Sequence, residues 1–77
     1  MRNPSEAWKT QILGYFFPTT FGLSAWVTED RNWKVYDENS GFLGVVIASG
    51  VSKSLDAAKV AAEDAMTETL MVVEDAN

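Results

Sequence analysis

The 77-residue chain contains neither cysteine nor histidine. Without cysteine, no disulfide can stabilise a small domain, and without both residues a closed zinc site has no nitrogen or sulfur ligands. The same absences remove the side chains that most often act as general base or reactive nucleophile. We therefore expect a protein that is not an enzyme and that holds no metal or cofactor.

Long apolar runs are also missing. The longest apolar stretch, at residues 43–48, is far shorter than the roughly 20 residues that span a bilayer. Residues 1–6 have no apolar run after Arg2, so they do not form a secretory signal. Together with the absence of cysteine, this predicts a cytoplasmic location and no membrane contact.

Basic residues are few. Eleven carboxylates against six Lys and Arg give a net charge of −5. Such a chain repels nucleic-acid phosphates and anionic lipid surfaces, so direct binding to either is disfavoured. The partner we expect is another protein, and a basic nucleic-acid-binding protein is the electrostatically favoured kind.

Aromatic residues, by contrast, are abundant, with three Trp, four Phe and two Tyr. A chain of this length has room for one domain, which we place at residues 1–77. A domain this small needs either an aromatic-rich core or oligomerisation to be stable. The composition favours the first and leaves a homodimer open.

The first segment has the signature of a helix start. Asn3 suits the N-cap, Pro4 the first helical position and Glu6 the third. Gly14 is a plausible stop, so the pattern predicts a helix over about residues 4–13. An aromatic connector, residues 15–20, follows it.

From residue 21 the apolar period changes to two, which is typical of strands. We predict three strands at residues 21–28, 33–36 and 42–48, joined by turns at 29–32 and 37–41. Phe21, Leu23 and Val27 would face inward, so Trp26 would point to the opposite face, together with Tyr36. Ser49 and Gly50 would end the sheet.

The last segment predicts a long helix capped by Ser52 or Ser54. Lys59 and Glu63 would pair on its outer side. The expected fold is α+β in the order α-β-β-β-α, with a three-stranded antiparallel sheet and the helices packed on one face. An alanine-rich stripe would contact the sheet: Leu55, Ala58, Ala62, Ala65, Met66, Thr69 and Val73.

This order of elements, and the run of residues 52–66, resemble a double-stranded-RNA-binding domain. Ser52-Lys53, Ala58-Lys59 and the paired alanines that follow carry the likeness, although Ser54 stands where that family has a second lysine. The resemblance implies a duplex-binding module. Its grip on RNA would require four basic residues to converge on one patch: Arg31, Lys34, Lys53 and Lys59.

A second resemblance is to small accessory proteins of phages and prophages. It rests on Trp33-Lys34-Val35, Gly41, Ala48-Ser49-Gly50 and the Ala- and Lys-rich helix at residues 54–65. Such proteins include inhibitors of host defences, anti-CRISPR proteins among them. The resemblance implies an inhibitor that binds a host protein.

Three surfaces are candidates for that binding. The aromatic connector is one, with a core plug as the alternative, and the strand face of Trp26 is another. The third is the acidic helix, which would imitate phosphates or merely keep the domain soluble. The rival functions are duplex binding and self-association through the open sheet face. The residues proposed for partner binding are Tyr15, Phe16, Phe17, Trp26, Tyr36, Asp56, Glu63, Asp64 and Glu68, and the phosphate imitation would add Glu74 and Asp75.

Overall fold

The structure is a computed structural model, and it describes residues 3–38 and 45–75. It is an antiparallel sheet of five strands in the order β1-β2-β3-β4-β5, followed by one helix. The expected three-stranded sheet with two helices is therefore wrong, and so is the topology that the RNA-binding resemblance implied. The elements are β1 (Lys9–Gln11), β2 (Gly14–Thr20), β3 (Leu23–Thr28), β4 (Asn32–Asp37), β5 (Val45–Val51) and α1 (Leu55–Asp75).

The predicted N-terminal helix does not form. Strand β1 instead pairs with β2 through a two-residue turn at Ile12 and Leu13. A helix of ten residues is marginal alone, whereas strand pairing extends an existing sheet. Gly14, taken as a helix stop, begins a strand: its φ is +153°, and an added Cβ would lie 2.1 Å from the Val27 carbonyl oxygen. Only glycine allows that close approach of β2 to β3.

The aromatic segment expected as a connector is strand β2. Its alternation places Tyr15 and Phe17 on one face of the sheet and Phe16 on the other. Consecutive bulky residues hide this period in the sequence. Pro18 lies where the register between β2 and β3 shifts, which is a position where a strand tolerates proline.

Strand β3 begins two residues later than predicted. Phe21 and Gly22 form a two-residue turn in which both have positive φ, 52° and 80°. Phe21 is 80% exposed, so its predicted inward position is wrong, whereas Leu23 and Val27 are buried as expected.

Strand β5 runs through Ser49 and Gly50, which were expected to end the sheet. The Trp33 indole lies 2.9 Å from where a Cβ on Gly50 would stand, so glycine here makes room for a ring of the neighbouring strand. Within the described residues, the strand predicted at 42–48 is β5, Val45–Val51, which ends three residues later than predicted. Residues 42–44 and most of the 37–41 turn are outside the described residues.

Helix α1 begins as predicted, because the Ser54 hydroxyl accepts a hydrogen bond from the Ala57 amide at 3.1 Å. The helix packs on β3, β4 and β5. We call this side of the sheet the covered face and the opposite side the open face. The side chain of Val73 lies outside the described residues. The core cluster between helix and sheet consists of Leu23, Ala25, Val35, Ala62 and Met66.

Candidate partner-binding surface

The open face presents aromatic side chains from three adjacent strands. Phe16 of β2 pairs with Trp26 of β3, which pairs with Lys34 of β4. Tyr36 of β4 lies on the same side. The predicted position of Trp26 and Tyr36, away from the helix, is confirmed.

Phe16 and Trp26 are in ring contact, with centroids 4.7 Å apart and planes tilted by 44°. Trp26 keeps 38% of its surface exposed in this arrangement. Because Phe16 already holds the indole in place, Trp26 would lose little side-chain entropy when a partner covers it. A preorganised and exposed tryptophan of this kind is typical of binding anchors.

A groove of about 590 Å³ lies beside Trp26 on the open face. Leu13 enters it from the β1–β2 turn and is 76% exposed. The charged groups that line the groove are the Lys34 ammonium and the Asp30 carboxylate. The full lining is Leu13, Trp26, Thr28, Asp30, Asn32, Lys34 and Tyr36.

Asp30 is held in place at one end of this groove. It accepts hydrogen bonds from the Thr28 hydroxyl and from the Asn32 amide. The bond from Thr28, followed by those from Asn32, lowers the pKa of Asp30 below its ordinary value of 3.8. The groove therefore carries a fixed anion at its end and a cation at Lys34.

The other end of the open face is closed by a polar contact. The buried Ser24 hydroxyl donates a hydrogen bond of 3.0 Å to the Glu38 carboxylate. This contact gives the hydroxyl of a buried serine the hydrogen-bond partner that a buried polar group requires.

Comparison with known proteins finds no match to this chain, neither among family models, nor among curated proteins, nor among solved structures.

The aromatic trio expected to act together is divided between the two faces. Phe16 belongs to the open face. Phe17 packs against the core and meets the Trp8 ring edge-on at 5.3 Å. Tyr15 is half-buried beneath the Lys59 ammonium, 3.8 Å from its ring centroid. Phe17 is thus the core plug that the sequence left open as an alternative.

The carboxylates of α1 differ in what they contact. Glu63 is half-buried, and it accepts hydrogen bonds from the Trp8 indole at 2.6 Å and the Ser5 amide at 2.8 Å. The expectation that Glu63 and Lys59 lie on the outer side is wrong, since Glu63 contacts the segment before β1 and Lys59 contacts Tyr15 of β2. Asp56, Asp64 and Glu68 are exposed, and the side chains of Glu74 and Asp75 lie outside the described residues.

The basic residues needed for duplex binding do not form one patch. Arg31 and Lys53 meet at one end of the sheet, where the guanidinium donates to the Lys53 carbonyl at 3.3 Å. Lys34 lies on the open face, and Lys59 lies over Tyr15 on the covered side.

Within residues 3–38 and 45–75, no group of three acidic, histidine or cysteine side chains could hold a metal ion. Nor does that part of the chain include a helix with both the length and the apolar character to cross a membrane.

Three of the seven residues that line the groove could not be placed there from the sequence. Leu13 was placed in a helix and Asp30 and Asn32 in a solvated turn, because their meeting depends on the pairing of all four strands from β1 to β4. The alternation that located Trp26 and Tyr36 also placed Lys34 on a strand. Pairing the two predicted strands with Trp26 opposite Lys34 would have placed both residues, and Tyr36, side by side on one face.

Proposed function

We propose that the protein is a non-catalytic binding module that holds another protein against the open face of its sheet. The observation that carries this proposal is the exposed Trp26 ring, held by Phe16 beside a groove that Leu13 also enters. Anchoring tryptophans in desolvated pockets supply much of the affinity in protein interfaces.

The chemistry of the groove describes the segment that would fit it. An apolar side chain would cover Trp26 and Leu13, and a carboxylate nearby would meet the Lys34 ammonium. The fixed negative charge of Asp30 would disfavour a second carboxylate at the groove's end. Lack of histidine and cysteine supports a binding role over a catalytic one.

A second candidate surface is the exposed side of α1. Asp56, Asp64 and Glu68 are exposed there, and a basic partner would complement them. If this surface is the one used, the protein acts as a phage-type inhibitor whose carboxylates imitate nucleic-acid phosphates and bind a host protein.

The experiment begins with capture of partners from a cell lysate and continues with the purified partner. Trp26→Ala should weaken its binding by about 2 kcal/mol or more, as loss of an anchor does. Lys34→Glu should weaken it as well, whereas Lys53→Glu, which reverses another exposed lysine, should leave it unchanged. Thermal melts of each variant establish that the fold is intact.

A spectroscopic readout locates the contact. The difference in fluorescence between the wild type and Trp26→Phe isolates Trp26, and its emission should shift to the blue when the partner binds. A partner that binds Trp26→Ala and Lys34→Glu as tightly as the wild type would overturn the proposal. If Asp64→Asn with Glu68→Gln then abolishes binding, the acidic side of α1 is the surface used.

A further inference from the structure

One row of side chains crosses the open face from edge to edge, perpendicular to the strands. Lys9 of β1 is paired with Phe16 of β2, and Phe16 is paired with Trp26 of β3. Trp26 is paired in turn with Lys34 of β4, and Lys34 with Ser49 of β5. Residues directly opposite each other in neighbouring strands point to the same face, so these side chains form one line. Two aromatic rings therefore lie between two lysines.

The middle of this row is a single apolar surface. The ring centroids of Phe16 and Trp26 are 4.7 Å apart, so one apolar side chain of a ligand can contact both rings. The lysines on either side, Lys9 and Lys34, are both exposed, so their ammonium groups are accessible to the same ligand. A ligand that complements the row is apolar at its middle and anionic at both ends.

The spacing of the two lysines matches an extended peptide. Neighbouring strands are about 4.8 Å apart, so residues in the same row of β1 and β4 are about 14 Å apart. An extended chain rises about 3.3 Å per residue, so its residues i and i+4 are about 13 Å apart. Residues i, i+2 and i+4 of such a chain also point to the same side. One extended segment can therefore place a carboxylate at each lysine and an apolar side chain over the rings.

We propose that the open face binds an extended segment in which two acidic residues flank an apolar residue, each one residue away from it. This inference rests on the proposed function, because the segment belongs to the partner protein that the open face holds. The apolar side chain covers Phe16 and Trp26, one carboxylate meets Lys34, and the other meets Lys9. The position at Lys9 keeps the second carboxylate away from the fixed charge of Asp30 at the end of the groove.

The net charge of −5 does not oppose this ligand at the row itself. Two carboxylates of the open face, Asp30 and Glu38, lie at its opposite ends, and both already accept hydrogen bonds from the protein. The exposed carboxylates of α1 lie on the other side of the sheet, and physiological salt screens exposed charges over about 8 Å. The charges nearest to the bound segment are therefore the two lysines of the row.

A single-stranded nucleic acid fits the row less well, although its bases could stack on the rings. Such strands bind in grooves whose positive charge follows the backbone, because every nucleotide carries a phosphate. The row supplies two separate lysines in a chain of net negative charge. The structure therefore favours a segment whose anionic groups stand only at the two lysine positions.

The first test is titration with the short peptide Glu-Ser-Phe-Ser-Glu, blocked at both termini. NMR follows the indole N–H signal of Trp26, which is assigned by its loss in Trp26→Phe, and this signal should shift as the peptide binds. The peptide Glu-Phe-Ser-Ser-Glu has the same composition, but its ring points away from the sheet when both carboxylates are in place. It should bind more weakly by about fivefold or more, which corresponds to about 1 kcal/mol.

The second test exchanges the charges of the row. Lys9→Glu and Lys34→Glu should each weaken binding of Glu-Ser-Phe-Ser-Glu by about fivefold or more, because each replaces an attraction with a repulsion. Lys53→Glu, which reverses an exposed lysine outside the row, should leave the affinity unchanged. The double variant with both row lysines changed to glutamate should bind Lys-Ser-Phe-Ser-Lys more tightly than the wild type does. A variant that merely misfolds would bind neither peptide, so this rescue identifies a direct contact.

Three results would overturn the inference. They are no shift of the Trp26 signal at millimolar peptide, equal affinities for the two isomeric peptides, or a shift with an oligothymidylate strand and none with the peptide. Each would leave the proposed function standing if Trp26→Ala still weakens binding of the purified partner. Conversely, a partner that binds Trp26→Ala as tightly as the wild type refutes the proposed function, whatever the peptides do.

Discussion

The two faces of the sheet carry side chains of opposite size. On the covered face, the residues with no exposed surface are small: Ala25, Val27 and Val35 of the sheet, and Ala58 and Ala62 of the helix. Aromatic rings surround this core but do not fill its centre. On the open face, Phe16, Trp26 and Tyr36 stand side by side. Close approach of the helix therefore stabilises one face, and the bulk on the other remains accessible to a partner.

Enlarging a side chain on the covered face should have the largest effect on stability. Ala62→Leu adds three carbon atoms at a position with no exposed surface, between α1 and the sheet. We expect it to lower the free energy of unfolding by about 1–3 kcal/mol, because over-packing displaces the helix. Urea unfolding followed by far-UV circular dichroism measures this. Thr67→Leu, on an exposed position of the same helix, should change stability by less than about 0.5 kcal/mol.

The second largest loss of stability should come from a change at the border of the covered face. The Glu63 carboxylate joins α1 to the N-terminal segment through the Trp8 indole and the Ser5 amide. Glu63→Ala should cost about 1–2 kcal/mol, because hydrogen bonds to a charged group are stronger than neutral ones and this site is partly solvated. Glu68→Ala removes an exposed carboxylate from the same helix and should cost much less. Equal losses in the two variants would mean that this link does not stabilise the fold.

A substitution in the turn between β2 and β3 should raise the free energy of unfolding, whereas the two changes above lower it. Phe21 has positive φ in a two-residue hairpin and is exposed, so its ring has little packing to lose. Phe21→Asn creates the Asn-Gly pair that such turns prefer, and we expect it to raise the unfolding free energy by about 1 kcal/mol. Phe21→Ala, which keeps a Cβ without the local hydrogen bonding of asparagine, should give no such gain. A loss of stability in Phe21→Asn would mean that the ring packs on the sheet.

Those parts of the fold that depend on local pattern could be predicted from the sequence. The alternation of Leu23 and Val27 against Trp26, and the serine cap of the helix, are local features, and the structure has both. Strands β1 and β2 were missed because a capping signature at Asn3 and Pro4 competes with pairing partners that local periodicity does not reveal. Of the candidate site, Trp26 and Tyr36 follow from alternation alone. Leu13 and Asp30 reach the groove through hairpin register, which emerges only when the strands are paired.

The smallest expected effect concerns the groove on the open face. Hydrogen bonds from Thr28 and Asn32 lower the pKa of Asp30 in the folded state, so its charged form is favoured there relative to the unfolded chain. A depressed pKa contributes stability above the unfolded pKa and loses it as the pH falls through the folded pKa. Unfolding in urea should therefore occur more readily as the pH drops below about 4, and Asp30→Asn should remove part of that dependence. Glu29→Gln takes a carboxylate from the same turn without removing the bond from Thr28, so it should leave this part of the dependence in place. Asp30→Asn and the wild type could instead lose stability in parallel down to pH values well below the ordinary pKa of 3.8. That result would mean that the hydrogen bonds from Thr28 and Asn32 do not favour the charged form of Asp30.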